Sequence, residues 1–81
     1  PDVALFAGDD GLAAVRRLAA AVPAVLRPGG WLFLEIGYDQ GREVPELLAA
    51  TGCFDRVALH EDYAGLPRVV EARRRTEESD G

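Results

Sequence analysis

The segment Pro28–Gly37, with the sequence PGGWLFLEIG, constrains the fold more than any other part of the chain. Its centre, Trp31–Ile36, is apolar at successive positions until Glu35, so both faces of the strand that it predicts would be buried. Such a pattern is typical of a central strand of an open α/β sheet with helices on both sides. We therefore expect Trp31 and Phe33 to be core residues.

The region before this strand predicts a loop followed by a helix. Residues 3–6 are a short apolar entry, and residues 7–11 are rich in turn formers, with Asp10 placed to cap a helix. Apolar side chains then recur at helical spacing over 12–26. Pro23 interrupts this pattern, and we expect a kink or a restarted turn there because proline disrupts a helix interior.

The region after the strand predicts a second turn, a short helix and a hairpin. Residues 37–41 form the turn, and a shorter amphipathic helix over 44–51 is closed by Gly52. From residue 54 the apolar period changes to two, which predicts a β-hairpin over 54–73 with a longer loop at 64–67. The predicted order is loop, helix, strand, helix, strand, strand, which indicates an α/β fold.

Composition excludes several classes of function. The net charge of −5 opposes direct binding of this segment to nucleic acid. No run reaches the roughly 18 apolar residues of a membrane span and no signal segment is evident, so we expect a soluble, cytoplasmic protein. Cys53 is the one cysteine and His60 the one histidine, which favours an ordinary buried thiol over a nucleophile.

The chain also contains no Met, and we expect it to derive from a longer protein. One helix and one strand before Trp31 cannot cover both faces of the central strand. The missing neighbours would come from preceding sequence or from another chain, and an uncovered sheet edge predicts self-association.

Glu35 is the strongest chemical candidate. A carboxylate at the C-terminal end of a buried parallel strand faces the crevice in which open α/β folds bind ligands. Partial burial there can shift its proton affinity into a useful range. The alternative is structural: Glu35 caps the helix that begins near Gln40 or pairs with an arginine.

Three further groups have both a structural and a functional interpretation. The acidic loop 8–11 could hold a cation, although helix capping by Asp10 beside a solvated Asp9 is favoured. The turn 37–41 offers a phenol, a carboxylate and an amide but lacks the glycine spacing of a phosphate loop. His60 lies in an alternating strand and is interpreted as a half-exposed sheet residue, not a base. We identify no metal site.

Two stretches of this sequence, ALFAGDDGL over 4–12 and PGGWLFLEIGYDQG over 28–41, resemble the C-terminal part of the peptide chain release factor glutamine methyltransferases. The resemblance covers residues 3–74. Ala7 replaces the glycine usual in the first stretch, and Leu66-Pro67 departs from the usual hairpin turn.

The resemblance implies a class I methyltransferase fold, a Rossmann-like α/β fold that uses S-adenosylmethionine. The Trp31 strand would be the fifth of seven, and the hairpin would supply the last two, with the final strand antiparallel. Residues 1–75 would be the C-terminal portion of the methyltransferase domain and residues 76–81 a disordered tail. The family methylates the glutamine side-chain amide in the GGQ motif of release factors, which promotes termination of translation.

The family's cofactor loop and substrate-binding motif have no counterpart in these 81 residues. No cofactor-binding or catalytic residue is therefore assigned, and we expect the isolated chain to be inactive. The positions that match the border of the family's active site are Glu35, in a supporting role, and the substrate-loop candidates Phe6, Gly8, Asp9 and Asp10.

Two alternatives remain open on the sequence. The chain could be part of a related amino-methyltransferase that acts on nucleic acid or on another protein, because one fold hosts many acceptors. It could also be a non-enzymatic α/β module that binds a partner through its sheet edge.

Overall fold

Four strands and two helices account for most of the chain in a computed structural model that describes residues 2–8 and 12–76. In chain order they are β1 (Val3–Gly8), α1 (Leu12–Val25), β2 (Trp31–Ile36), α2 (Glu43–Ala50), β3 (Phe54–Glu61) and β4 (Pro67–Arg74), with a single 3-10 turn at Tyr38–Gln40 before α2. No helix in the described residues is long and apolar enough to cross a membrane.

The strands form one sheet in the order β1-β2-β4-β3. β1 pairs with β2 in parallel, whereas β4 is antiparallel to both of its neighbours. The predicted hairpin is confirmed, and its second strand inserts between β2 and the first strand. The antiparallel final strand that the family resemblance implied is thus present.

Both helices pack on the same face of the sheet. Successive side chains of a strand point to opposite faces, and alternate residues of β2 and β4 meet the buried stripes of α1 and α2. The core shared by these elements consists of Val15, Ala19, Val22, Leu26, Leu32, Leu34, Ile36, Val44, Leu48, Phe54, Val70 and Ala72. One apolar face per element therefore accounts for the folded core.

The other face of the sheet has no helix on it among the described residues. Trp31 and Phe33 stack there with ring centroids 6.3 Å apart, and the Arg73 guanidinium lies 5.8 Å from the Trp31 ring. Both aromatic side chains are half-buried, while Val3 and Leu5 of β1 are 50% and 74% exposed.

One face of β2 is thus uncovered among the described residues, as expected for a chain whose missing neighbours would come from preceding sequence or from another chain. Trp31 and Phe33, which were predicted to be core residues, are half-buried on that face and lie outside the described core. The topology gives the reason. The crossovers β1-α1-β2 and β2-α2-β3 both move across the sheet in the same direction. Crossovers between parallel strands are right-handed, and two right-handed crossovers in the same direction place their helices on the same face of the sheet.

Two local predictions also need correction. The strand β1 extends through Ala7 and Gly8, which the turn-rich composition had assigned to a loop, because backbone pairing to β2 continues to Gly8. The helix α1 runs through Pro23 and ends two residues later. Pro23 has no N–H to donate to the carbonyl of residue 19, but only two helical residues follow it, so the helix ends without a restarted turn.

The end of β4 connects the sheet to the C-terminal ends of both helices. Arg74 Nη1 donates to the carbonyl oxygens of Pro23 and Leu26, at the end of α1. Arg75 Nε donates to the carbonyl oxygen of Gly52, just beyond α2, at 2.7 Å. Cations are favourable at helix C-termini, where carbonyls lack helical partners. Of the predicted tail 76–81, only residue 76 lies within the described residues.

Candidate functional site

The carboxyl ends of β1 and β2 lie side by side and form the candidate site. In the parallel register, Ala7 lies opposite Glu35 and Gly8 opposite Ile36. Ligands of open α/β sheets bind outside the carboxyl ends of parallel strands. The sequence placed Glu35 at such an end, and the structure has it there.

Glu35 lies on the exposed outer face of the sheet. It is the fifth residue of β2 and is flanked in register by Ala7 and Val69. No helix covers this face among the described residues, so they do not provide the partial burial that was expected for Glu35. The structural alternative also lacks support: no hydrogen bond or ion pair joins its carboxylate to a side chain that the structure describes.

The turn that follows β2 is held by Gln40. The backbone N–H of Gly37 donates to Oε1 of Gln40 at 3.0 Å, and the N–H of Gln40 donates to the carbonyl of Gly37 at 2.9 Å. The cap at this strand end is thus supplied by Gln40 and not by Glu35. Sequence reasoning had favoured a structural cap in this turn.

The substrate-loop candidates separate into two groups. Phe6 and Gly8 are strand residues of β1, opposite Leu34 and Ile36, so the prediction that they lie in a loop is wrong. Both lie near the end of β2 that carries Glu35. Asp9 and Asp10 lie outside the described residues.

A polar cluster on the outer face was not found from the sequence. Glu71 of β4 accepts a hydrogen bond from Arg56 Nε at 3.3 Å, and its other oxygen lies 3.1 Å from His60 Nε2. The three side chains join β3 to β4, and cross-strand charge pairs of this kind stabilise sheets. His60 is exposed, consistent with its interpretation as a sheet residue, and Cys53 is half-buried against the core.

The hairpin turn is organised by Asp62. Its carboxylate accepts hydrogen bonds from the N–H groups of Ala64 and Leu66, at 2.9 and 3.0 Å, and from Arg68 Nε at 2.9 Å. These hydrogen bonds hold the pKa of Asp62 below its ordinary value, with the largest contribution from the Leu66 N–H and the next largest from Arg68. The cluster lies in the β3–β4 turn and builds that turn.

An open groove lies at the opposite end of β2 from Glu35. It has a volume of about 570 Å³ and is lined by residues 23–28 and by Arg74. No group of three or more potential metal ligands occurs within the described ranges. The groove does not lie at the carboxyl edge of β1 and β2.

Comparison with known proteins finds relatives of one kind. The chain is 51% identical over 73 residues to a release factor glutamine methyltransferase of Xylella fastidiosa and 47% identical over 77 residues to that of Moorella thermoacetica. These matches cover 90% and 95% of the chain. The chain is similar to a segment of these release factor glutamine methyltransferases. The resemblance carried by the two sequence stretches is confirmed.

A solved structure supports the same relationship. The release factor-specific protein-(glutamine-N5) methyltransferase of Alicyclobacillus acidocaldarius aligns with 82% of this chain at 40% identity and a TM-score of 0.66. The chain spans about a quarter of the two curated relatives and 42% of the solved chain. No protein-family model matches the chain.

Proposed function

We propose that this chain is part of an enzyme that transfers a methyl group from S-adenosylmethionine to the glutamine side-chain amide of the GGQ motif in a peptide chain release factor. The observation that supports this most strongly is the 51% identity to a release factor glutamine methyltransferase over 90% of the chain. The proposal places the protein in the cytoplasm and in the termination of translation, with the release factor as its partner.

In this proposal the chain contributes the acceptor side of the crevice. It supplies the paired carboxyl ends of β1 and β2, with the backbone of Ala7 opposite Glu35 and that of Gly8 opposite Ile36. Methyl transfer depends mainly on positioning of the nucleophile, and an amide nitrogen is a poor nucleophile. A rigid parallel strand pair supports such positioning.

The residues described here do not fit S-adenosylmethionine by themselves. The sequence has no Gly-x-Gly-x-x-Gly loop between a strand and a helix, and the 570 Å³ groove lies at the other end of β2. We derive no step of the reaction through the cofactor. The isolated 81 residues are accordingly proposed to be inactive.

A methyl-transfer assay tests the proposal. The complete protein encoded by the reading frame that contains this chain is incubated with S-adenosylmethionine and a bacterial release factor, and peptides are analysed by mass spectrometry. We expect one added methyl group on the glutamine of the GGQ motif and none when that glutamine is replaced by alanine. Methylation of nucleic acid, or of another protein in place of the release factor, would instead support the related amino-methyltransferase.

Glu35 has a supporting role in this proposal. We predict that Glu35→Gln in the complete protein lowers turnover, because it removes the charge beside the carboxyl edge while preserving size. Glu46→Gln is the matched control, since Glu46 lies on the exposed surface of α2 and pairs only with Arg42 at 3.4 Å among described side chains. Equal turnover of Glu35→Gln and the unsubstituted enzyme would exclude this role.

A further inference from the structure

The turn after β2 is fixed at both of its ends. At the start, Gly37 donates its N–H to the side-chain oxygen of Gln40 at 3.0 Å, in a partly buried position. At the other end, Gly41 lies against the hairpin so closely that a Cβ on it would be 2.5 Å from Cγ of Pro67. A side-chain cap and a close contact with the Pro67 ring thus hold the two ends of this turn.

The position of this turn connects it with the carboxyl edge. The turn begins one residue after Ile36, which pairs with Gly8 of β1, and two residues after Glu35. Its backbone therefore forms one wall of the edge at which the two parallel strands end. The shape of that wall depends in part on Gln40, because its side-chain oxygen accepts the partly buried Gly37 N–H at the point where the strand pairing with β1 ends.

We propose that Gln40 is a positioning residue for the protein substrate: it holds the turn 37–41 in the conformation that the glutamine-bearing loop of the release factor binds. This inference rests on the proposed function. The substrate is assigned to this wall because the turn borders the carboxyl ends of β1 and β2, which the proposed function gives to the acceptor side of the crevice. Gln40 acts through the turn and does not itself touch the reacting atoms.

The expected kinetic signature follows from a population argument. Without the Gln40 side chain, the free enzyme adopts the binding-competent turn less often, and the apparent affinity falls by the same fraction. Binding of the substrate then restores the turn, so the subsequent chemical step is unaffected. The KM for the release factor rises while kcat stays the same.

The experiment compares Gln40→Ala with Gln40→Glu in the complete enzyme. The alanine variant removes the acceptor, whereas the glutamate variant keeps an oxygen at the same reach. We expect Gln40→Ala to raise the KM for the release factor about fivefold, the factor that one net hydrogen bond provides. Gln40→Glu should restore the KM, and the KM for S-adenosylmethionine should not change. Glu46→Gln is again the control.

Gly41→Ala provides a second variant if Gln40→Ala does not fold. Gly41 has φ −65° and ψ −19°, which alanine adopts readily, so its added methyl acts only by pushing the turn away from Pro67. We expect the same rise in the KM for the release factor. An unchanged KM in both variants, or a fall in kcat at constant KM, would overturn the inference. An unsubstituted enzyme that methylates no release factor would refute the proposed function itself.

Discussion

Replacement of Arg74 by alanine tests how β4 holds the helices on the sheet. Arg74 Nη1 donates to the carbonyl oxygens of Pro23 and Leu26, and these carbonyls lie where α1 ends. Alanine removes both bonds and the positive charge. It leaves the strand pairing of Arg74 with residue 54 in place, because that pairing uses the backbone.

The magnitude follows from the two contacts. The bond to Leu26 is partly buried, while the bond to Pro23 is exposed and 3.3 Å long. A hydrogen bond from a charged donor stabilises by about 1.5–3 kcal/mol, and a cation at a helix C-terminus adds about 0.3–1 kcal/mol when exposed. If the partly buried bond is counted in full and the exposed bond is neglected, the local free energy of unfolding falls by about 2 kcal/mol.

Amide hydrogen exchange in the complete protein measures this loss locally. A decrease of about 2 kcal/mol corresponds to about 30-fold faster exchange, and we expect it in peptides covering the end of α1, where the Leu26 N–H bonds to the Val22 carbonyl. Arg42→Ala is the matched control, because its ion pair with Glu46 is exposed and such pairs contribute about 0.3–0.5 kcal/mol. Equal exchange rates in the two variants would refute the capping argument.

Two further predictions concern the hairpin and the uncovered face. The Leu66 N–H and Arg68 lower the pKa of Asp62, so the stabilisation of the folded protein by this carboxylate is complete above the ordinary carboxyl pKa of about 3.9 and is lost as the pH falls through the lowered value. Asp62→Asn should remove this pH dependence from the urea midpoint of unfolding. Identical pH profiles of the two proteins would contradict the prediction. Leu5 is 74% exposed on an edge strand, so we expect the isolated chain to self-associate, as measured by light scattering. Leu5→Lys should favour the monomer, whereas the control Val25→Lys, on α1, should not. A monomeric unsubstituted chain would disprove this.

The elements of the fold were largely predictable because their apolar periods are distinct. The strand Trp31–Ile36, the two helices and the hairpin each have a clear repeat and a terminating glycine or proline. The strand β1 was not in the predicted order, because residues 3–6 are a short apolar run and Ala7 and Gly8 have turn-forming composition. Their strand conformation depends on pairing with β2, which is a tertiary effect.

The candidate site was predictable only in its location. The sequence placed Glu35 at a strand end correctly, but its exposure depends on which face the helices cover, and that follows from the topology of two crossovers. The role of Gln40 depends on the conformation of its own turn, whereas that of Glu71 depends on contacts between two strands. Glu71 meets Arg56 and His60 across the hairpin, and only the strand register brings these three residues together.

The insertion of β4 between β2 and β3 has a consequence for synthesis on the ribosome. Among the described strands, β3 pairs only with β4, so β3 cannot join the sheet until β4 has left the exit tunnel. Until then β2 and β3 both carry unpaired backbone groups, which are sites for aggregation. A nascent chain from which β3 but not β4 has left the exit tunnel would therefore expose two strand edges at once, until the eight residues of β4 arrive.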